Sequence, residues 1–167
     1  MKQILYVFNK KYGAYNFDET NDERWKELME FTERTGSEYV IIDAGIEHEL
    51  KDLEEADKTE FRREYATLDS GIDSLIRACY HRLGLLSYFT TGEKETRAWT
   101  IKRGSTGPEA GAAIHTDFKN KFIRAHVVSF EDLAKAGSLG VARDHGKLRT
   151  EGKEYIVADG DVIEFMI

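Results

Sequence analysis

Two hydrophobic rhythms share this chain, and they change over near Gly84. Residues 4–8 (ILYVF) form a short continuous apolar run followed by Asn9, Lys10, Lys11 and Gly13. That pattern predicts a buried strand of a parallel sheet. Residues 14–20 read as loop. Asn21 is placed to cap a helix, with Asp22 and Glu23 in its first turn facing the positive end of the dipole. Trp25, Leu28, Met29 and Thr32 supply the helical stripe, and Arg34 and Gly36 mark its end. Residues 39–42 (YVII) predict a second buried strand that runs into Asp43, Ala44 and Gly45. Strand, helix and strand make one βαβ unit with parallel strands. Two strands are not a complete parallel sheet, because such sheets need both faces covered. This portion therefore reads as a piece of a larger α/β domain.

Residues 47–66 are strongly acidic with a helical pattern, read as a solvated helical hairpin. Ser70 is placed to cap a further helix in which Ile72, Leu75, Ile76, Cys79 and Leu83 make a core stripe. Gly84 suits the position after the helix end. Beyond it, residues 86–90 predict a strand, 92–95 a turn, and 96–102 an alternating strand with Arg97, Trp99 and Ile101 on one face. Pro108 opens a helix over 109–114. Residues 122–128 hold a strand and 130–136 a short helix ended by Gly137. The close, 155–157 and 162–167, predicts two strands around an Asp159-Gly160 turn. A small mixed sheet crossed by a helix, a β-grasp, packs such an order. The predicted fold class is thus α/β plus α+β: a partial parallel βαβ unit with helices over 1–84, then a β-grasp domain over 85–167.

Charge separates the two portions further. The net charge is −7. Residues 1–84 carry 12 Lys and Arg against 19 Asp and Glu, whereas 85–167 carry 12 of each. The first portion repels nucleic acid; the second can bind it where its cations cluster. Lys119, Lys121 and Arg124 lie beside Phe118 and Phe122. Arg143, Lys147 and Arg149 form a second group, and Lys102 and Arg103 end a strand. Cations with neighbouring aromatics suit phosphate and exposed bases. Ordinary surface charge beside core phenylalanines reads equally well.

Other chemistry is scarce. The lone Cys79, at helical spacing among apolar residues, reads as a small buried hydrophobe. The five histidines lack zinc spacing, so no metal site is expected. No run approaches a membrane span and the start does not resemble a signal peptide, which makes the cell interior the expected location. No catalytic residue is assigned. His115 and Asp117 form a compact polar cluster, but such clusters usually make local turn and cap hydrogen bonds. Neither a G-x-x-x-x-G-K-[ST] loop nor a G-x-G-x-x-G motif occurs in the sequence, so no hydrolysis is expected from this chain alone and no cofactor for it by itself. Asn9 and Lys10 nevertheless stand at the carboxyl end of a strand, where ligands of open α/β sheets sit. Ala44 and Gly45 end the next strand. These four are candidate contacts to a nucleotide base; a simple polar strand end is the alternative.

Longer strings add a resemblance. Residues 88–102 (YFTTGEKETRAWTIK), 113–118 (AIHTDF), 122–125 (FIRA), 152–157 (GKEYIV) and 159–162 (DGDV) closely resemble the YchF-type (Obg-like) P-loop ATPase/GTPase family at its TGS domain. The match extends more loosely back to Ile4. The resemblance implies a chain that spans the end of the nucleotide domain and the whole TGS domain. It also implies ATP or GTP with Mg as cofactor of the full-length protein, and a missing N-terminal nucleotide-binding portion as partner. It further implies ribosome or RNA docking through the TGS domain, and a cytoplasmic location. Asn9 matches the first position of the family's base-reading loop; Tyr12 stands where the family has an acid. The open sheet over 4–84 is expected to seek a partner, such as a second copy in a homodimer. The alternative is a standalone TGS-type RNA- or protein-binding module with no nucleotide activity.

Overall fold

The computed structural model describes residues 4–64, 70–92 and 95–167. The chain divides into two compact units, Met1–Leu83 and Gly84–Ile167.

In the first unit, β1 (Leu5–Asn9) pairs in parallel with β2 (Glu38–Ile42), Leu5 opposite Glu38 and Asn9 opposite Ile42. Between them runs α1 (Glu23–Thr35). Its aromatic face covers one side of the strands: Phe31 meets Tyr6 at 6.1 Å between ring centres, and Trp25 meets Phe8 at 5.9 Å. Edge-to-face contacts of this kind favour the ring quadrupoles and bury large areas. Then follow α2 (Ala44–Leu50), α3 (Glu55–Glu64) and α4 (Gly71–Leu83). The last lies against the other side. A Cβ at Gly71 would stand 3.1 Å from the Ile42 side chain, and Arg82 reaches Glu38 at 3.6 Å.

The structure departs from the sequence pattern at several points. The cap of α1 is Asp22, whose carboxylate accepts from the Arg24 N–H at 2.9 Å; Asn21 sits one residue outside at φ 52°. Asparagine tolerates that left-handed turn, so it makes the bend and leaves the capping to its neighbour. The strands are only half-buried, with Val7 and Tyr39 at least 40% exposed. A parallel sheet of two strands has neither side extended by a further strand among the described residues, so α1 and α4 cover its faces only in part. The α4 stripe is not core either: Ile72, Ile76 and Leu83 are 45–61% exposed, and Cys79 is half-buried. The acidic hairpin begins earlier, at Ala44, and breaks over 51–54; its end at 65–66 lies outside the described residues, as do positions 93 and 94 of the expected 92–95 turn.

The second unit is built on five strands, in the order β4-β3-β7-β5-β6. They are β3 (Leu85–Thr91), β4 (Thr96–Lys102), β5 (Arg124–Ser129), β6 (Arg149–Glu151) and β7 (Asp161–Met166). The β3–β7 pair is parallel; the other pairs are antiparallel. Helices α5 (Gly107–Ile114) and α6 (Thr116–Asn120) follow β4, while α7 (Phe130–Ala136) and α8 (Leu139–Asp144) follow β5. Alternation along the strands gives the sheet two apolar faces. One joins Leu86, Tyr88, Ile101, Val127 and Ile163 to Ala110 and Phe122; the other joins Val128 and Val162 to Ala142, with Phe89, Leu133 and Leu139 packed around them. The buried Tyr88 hydroxyl donates to the Ala110 carbonyl at 2.8 Å, which ties β3 to α5.

The expected closing hairpin is absent. Residues 155–157 make one isolated bridge, Ile156 with Thr106, and the partner of β5 on its outer side is β6 at 149–151. The three-residue β6 is too short to show a period. Helix α8 escaped the pattern reading because Gly140 sits inside it, although Ser138 caps it by accepting from Val141 N–H at 3.2 Å.

Candidate functional site

The carboxyl ends of β1 and β2 are joined side chain to backbone. Asn9 Oδ1 accepts from the Ala44 N–H at 3.0 Å, and Asp43 Oδ2 accepts from the Tyr12 N–H at 2.6 Å. The other Asp43 oxygen caps α2, accepting from Gly45 and Ile46 N–H at 3.0 and 3.1 Å. Two crossing bonds thus fix the loop after β1 against the loop after β2. Lys10 N–H extends the ladder by donating to the Ile42 carbonyl at 2.8 Å.

A second set of contacts shapes the loop itself. Asn16 Oδ1 accepts from Lys11 N–H at 3.1 Å, and its amide nitrogen donates to the Lys11 carbonyl at 2.9 Å. The Lys10 ammonium donates to Glu19 at 2.8 Å and stands 3.8 Å from Asp18. The Glu19 carboxylate raises the Lys10 pKa, and Lys10 in turn lowers that of Glu19. Beside this loop lies a cleft of about 390 Å³ whose walls include Asn9, Lys10, Tyr15, Phe17, Asp18 and Trp25. All four candidate base contacts, Asn9, Lys10, Ala44 and Gly45, therefore gather at one edge. Asn9 Oδ1 and both Asp43 oxygens each accept backbone N–H groups, and the groups beside them that can meet a ligand include the Asn9 amide donor, the Lys10 ammonium and the aromatic rings of the cleft wall. Sequence reading passed over Asp43, Asn16 and Glu19 as organisers. An Asp two residues before a helical glycine was the available signal for the first; nothing marked the other two.

The candidate cations do not form one patch. Lys102 stands opposite Leu85 where β3 begins, whereas Arg124 stands opposite Met166 where β7 ends. Since β3 and β7 are parallel, these are opposite ends of the sheet. Lys119, Lys121 and Arg124 remain neighbours around α6 and the start of β5. Lys121 pairs with Asp117 at 3.0 Å on an exposed surface, an interaction that leaves the cation available. Lys147 reaches Asp132 at 3.6 Å. Arg149 is occupied: it meets Glu151 at 3.5 Å, the Tyr155 hydroxyl at 3.1 Å and the buried Asp161 at 3.4 Å. Lys102, Arg103, Arg124 and Arg143 make no ion pair among the described residues.

His115 caps α6, its Nδ1 accepting from the Asp117 N–H at 3.2 Å, so this cluster makes a local cap. Among the described residues no three His, Cys, Asp or Glu side chains are grouped to hold a metal ion, and no helix is long and apolar enough to cross a membrane.

Comparison with known proteins gives this geometry a family. Residues 85–167 match the YchF-GTPase_C model, described as a protein of unknown function (DUF933). The chain is 44% identical over 164 residues to the "Ribosome-binding ATPase YchF" of Bacillus subtilis (strain 168), covering 98% of this chain and 44% of that protein. It is 39% identical over 166 residues to the protein of the same name from Escherichia coli O157:H7, covering 99% and 45%. The solved structure of the Schizosaccharomyces pombe YchF GTPase superposes with a TM-score of 0.83 at 28% identity, over 99% of this chain and 43% of that one. The chain thus spans less than half the length of the relatives it matches, and it belongs to the YchF family as a C-terminal part of such a protein.

Proposed function

We propose that this chain is the base-binding edge and docking module of a YchF-type nucleotidase. The observation that carries the reading is the Asn9–Ala44 hydrogen bond, which brings both candidate base-contacting loops to one sheet edge. Asn9 and Lys10 from one loop, and Ala44 and Gly45 from the other, contact the base of ATP or GTP. The triphosphate and its magnesium are held by the portion of the longer relatives that this chain does not span, so hydrolysis belongs to the whole protein.

The second unit serves as the TGS domain. Its mixed order β4-β3-β7-β5-β6, with α5 packed on one face, fits the β-grasp arrangement. It docks on the ribosome or its RNA in the cytoplasm, through Lys119, Lys121 and Arg124 at one end of the sheet. Lys102 and Arg103 lie at the other end and Arg149 is held by Asp161, so these three contribute less. The name of the relatives, ribosome-binding ATPase, supports this partner. The half-exposed strands of the first unit are covered in the whole protein by its missing nucleotide-binding portion or, in this chain alone, by a second copy.

Equilibrium binding to purified ribosomes tests the proposal, with adenosine and guanosine nucleotides titrated alongside and followed by amide NMR. Saturable ribosome binding, together with nucleotide-induced shifts at Asn9, Ala44 and Gly45, is expected. Ribosome binding with no shift at those residues would instead favour a standalone docking module without a nucleotide link.

A further inference from the structure

We propose that Glu19, itself held by Asn16, is a positioning residue for the base site: it fixes the Lys10 side chain in place before the base of ATP or GTP arrives. The proposal rests on the reading of Asn9, Lys10, Ala44 and Gly45 as base contacts and adds to it two residues that touch no base themselves.

Lys10 is anchored at both ends. Its backbone N–H donates to the Ile42 carbonyl at 2.8 Å, which ties it to the end of β2. Its ammonium donates to Glu19 Oε1 at 2.8 Å, with Asp18 standing 3.8 Å away. The aliphatic stem is laid between these two anchors, and Lys10 lines the 390 Å³ cleft beside Asn9. A lysine stem held in this way offers a flat ligand an apolar surface at a set place.

An exposed ion pair on its own holds a long side chain poorly. Glu19 is half-exposed, but its second oxygen is also engaged: Oε2 accepts from the Asn16 amide at 3.1 Å. Asn16 in turn grips the backbone of Lys11 on both sides, accepting from its N–H at 3.1 Å and donating to its carbonyl at 2.9 Å. The bonds thus run from Lys10 through Glu19 and Asn16 back to the residue next to Lys10, and close a ring across the loop. A free lysine has many rotamers to lose when a ligand meets it; one already held loses few. For a single side chain of this kind, ordering in advance is worth about threefold to tenfold in affinity.

The test uses the full chain with adenosine and guanosine. Neither carries a charge, so removing a carboxylate cannot act through a phosphate. Affinity is read from the amide shifts of Asn9, Ala44 and Gly45, and the Lys10 ammonium is followed by its own nitrogen–proton resonance. Glu19→Ala is expected to weaken the nucleoside that binds by about threefold to tenfold, and to broaden the Lys10 ammonium signal through exchange with water. Glu19→Gln, which keeps an acceptor for Lys10, should recover part of the loss. In a Lys10→Ala background Glu19→Ala should add nothing, a result that a merely structural Glu19 would not give. Equal affinity of the unaltered chain and Glu19→Ala, or the same loss with and without Lys10, would overturn this proposal and leave the base-contact reading standing. No shift at Asn9, Ala44 and Gly45 with either nucleoside would overturn both.

Discussion

Asn9 and Ala44 are 35 residues apart in sequence, and the side-chain oxygen of the first accepts the backbone N–H of the second at 3.0 Å. The two loops at the carboxyl edge of the small parallel sheet are therefore built as one piece. Asn9→Ala leaves the Ala44 amide to water and is expected to cost about 1 kcal/mol. Asp43→Ala removes the α2 cap and the Tyr12 hydrogen bond together and should cost about 2 kcal/mol. Urea unfolding followed by a probe in the first unit checks both values, and faster exchange of the Ala44 amide in Asn9→Ala checks the cause.

The two units differ in what they bury. In the first, the buried side chains among the described residues are Thr32, Ile46 and Leu50; the second buries Leu86, Tyr88, Phe122, Val127, Val128 and Ile163 among others. Protection from exchange follows buried apolar contact. In a dilute monomer, the amides of β1 and β2 are expected to exchange faster than those of β3, β5 and β7. Equal protection in the two sheets would show that the first unit does not need a covering partner.

Alkaline pH should loosen the second unit. Burial raises the Tyr88 pKa well above 10.0, and burial with the Asp161 hydrogen bond pushes Tyr155 up to about 12. The neutral phenol is thus favoured in the folded state. This stabilisation is complete below pH 10 and is lost as pH climbs above it, at about 1.4 kcal/mol per pH unit for Tyr88 while only the unfolded phenol ionises. Tyr88→Phe should cost about 1 kcal/mol at neutral pH by losing the bond to Ala110, and should flatten the decline above pH 10. Thermal melts from pH 7 to 11.5 measure both effects.

Close packing of α5 on α6 leaves no room at Gly111. A Cβ there would stand 2.8 Å from the Phe118 Cβ, an atom next to the backbone that cannot swing aside. Gly111→Ala is expected to destabilise by about 1–3 kcal/mol through overpacking. Gly152→Ala, with nothing within 4 Å of the added atom, is its control.

Removing the Asp161 carboxylate should be costly for a different reason. It is 3% exposed and accepts from the Tyr155 hydroxyl at 2.6 Å, the Ala158 N–H at 2.8 Å and Arg149 at 3.4 Å. Asp161→Ala strands the first two donors, for an expected loss of about 3 kcal/mol in chemical denaturation.

Much of this organisation was legible because local signals agreed. Gly36, Gly84 and Gly137 all take positive φ at helix ends, as glycines placed after helical stripes should. Residues 96–102 alternate and form β4. The failures fell where one signal had to stand for tertiary context. The α4 stripe has helical period, yet periodicity reports an apolar face without saying that anything covers it. The 155–157 run looked like a strand because Tyr, Ile and Val favour one; Tyr155 is drawn instead to Asp161. At the base edge, residue types pointed to Asn9 and Ala44 separately, but only the fold shows that they touch. The cation groups gained their places only from the fold: Lys102 and Arg124, in separate groups of one neutral half, stand at opposite ends of a sheet.

Salt-dependent binding to purified ribosomes tests the docking claim most directly, comparing this chain with its Lys119→Glu, Lys121→Glu, Arg124→Glu variant. A cation that no longer meets a phosphate releases no counterion, so log K falls less steeply with log salt. The variant's slope should therefore be shallower by about 2 and its affinity at low salt lower by about tenfold or more. Equal slopes and affinities for the two proteins would contradict docking through this end of the sheet.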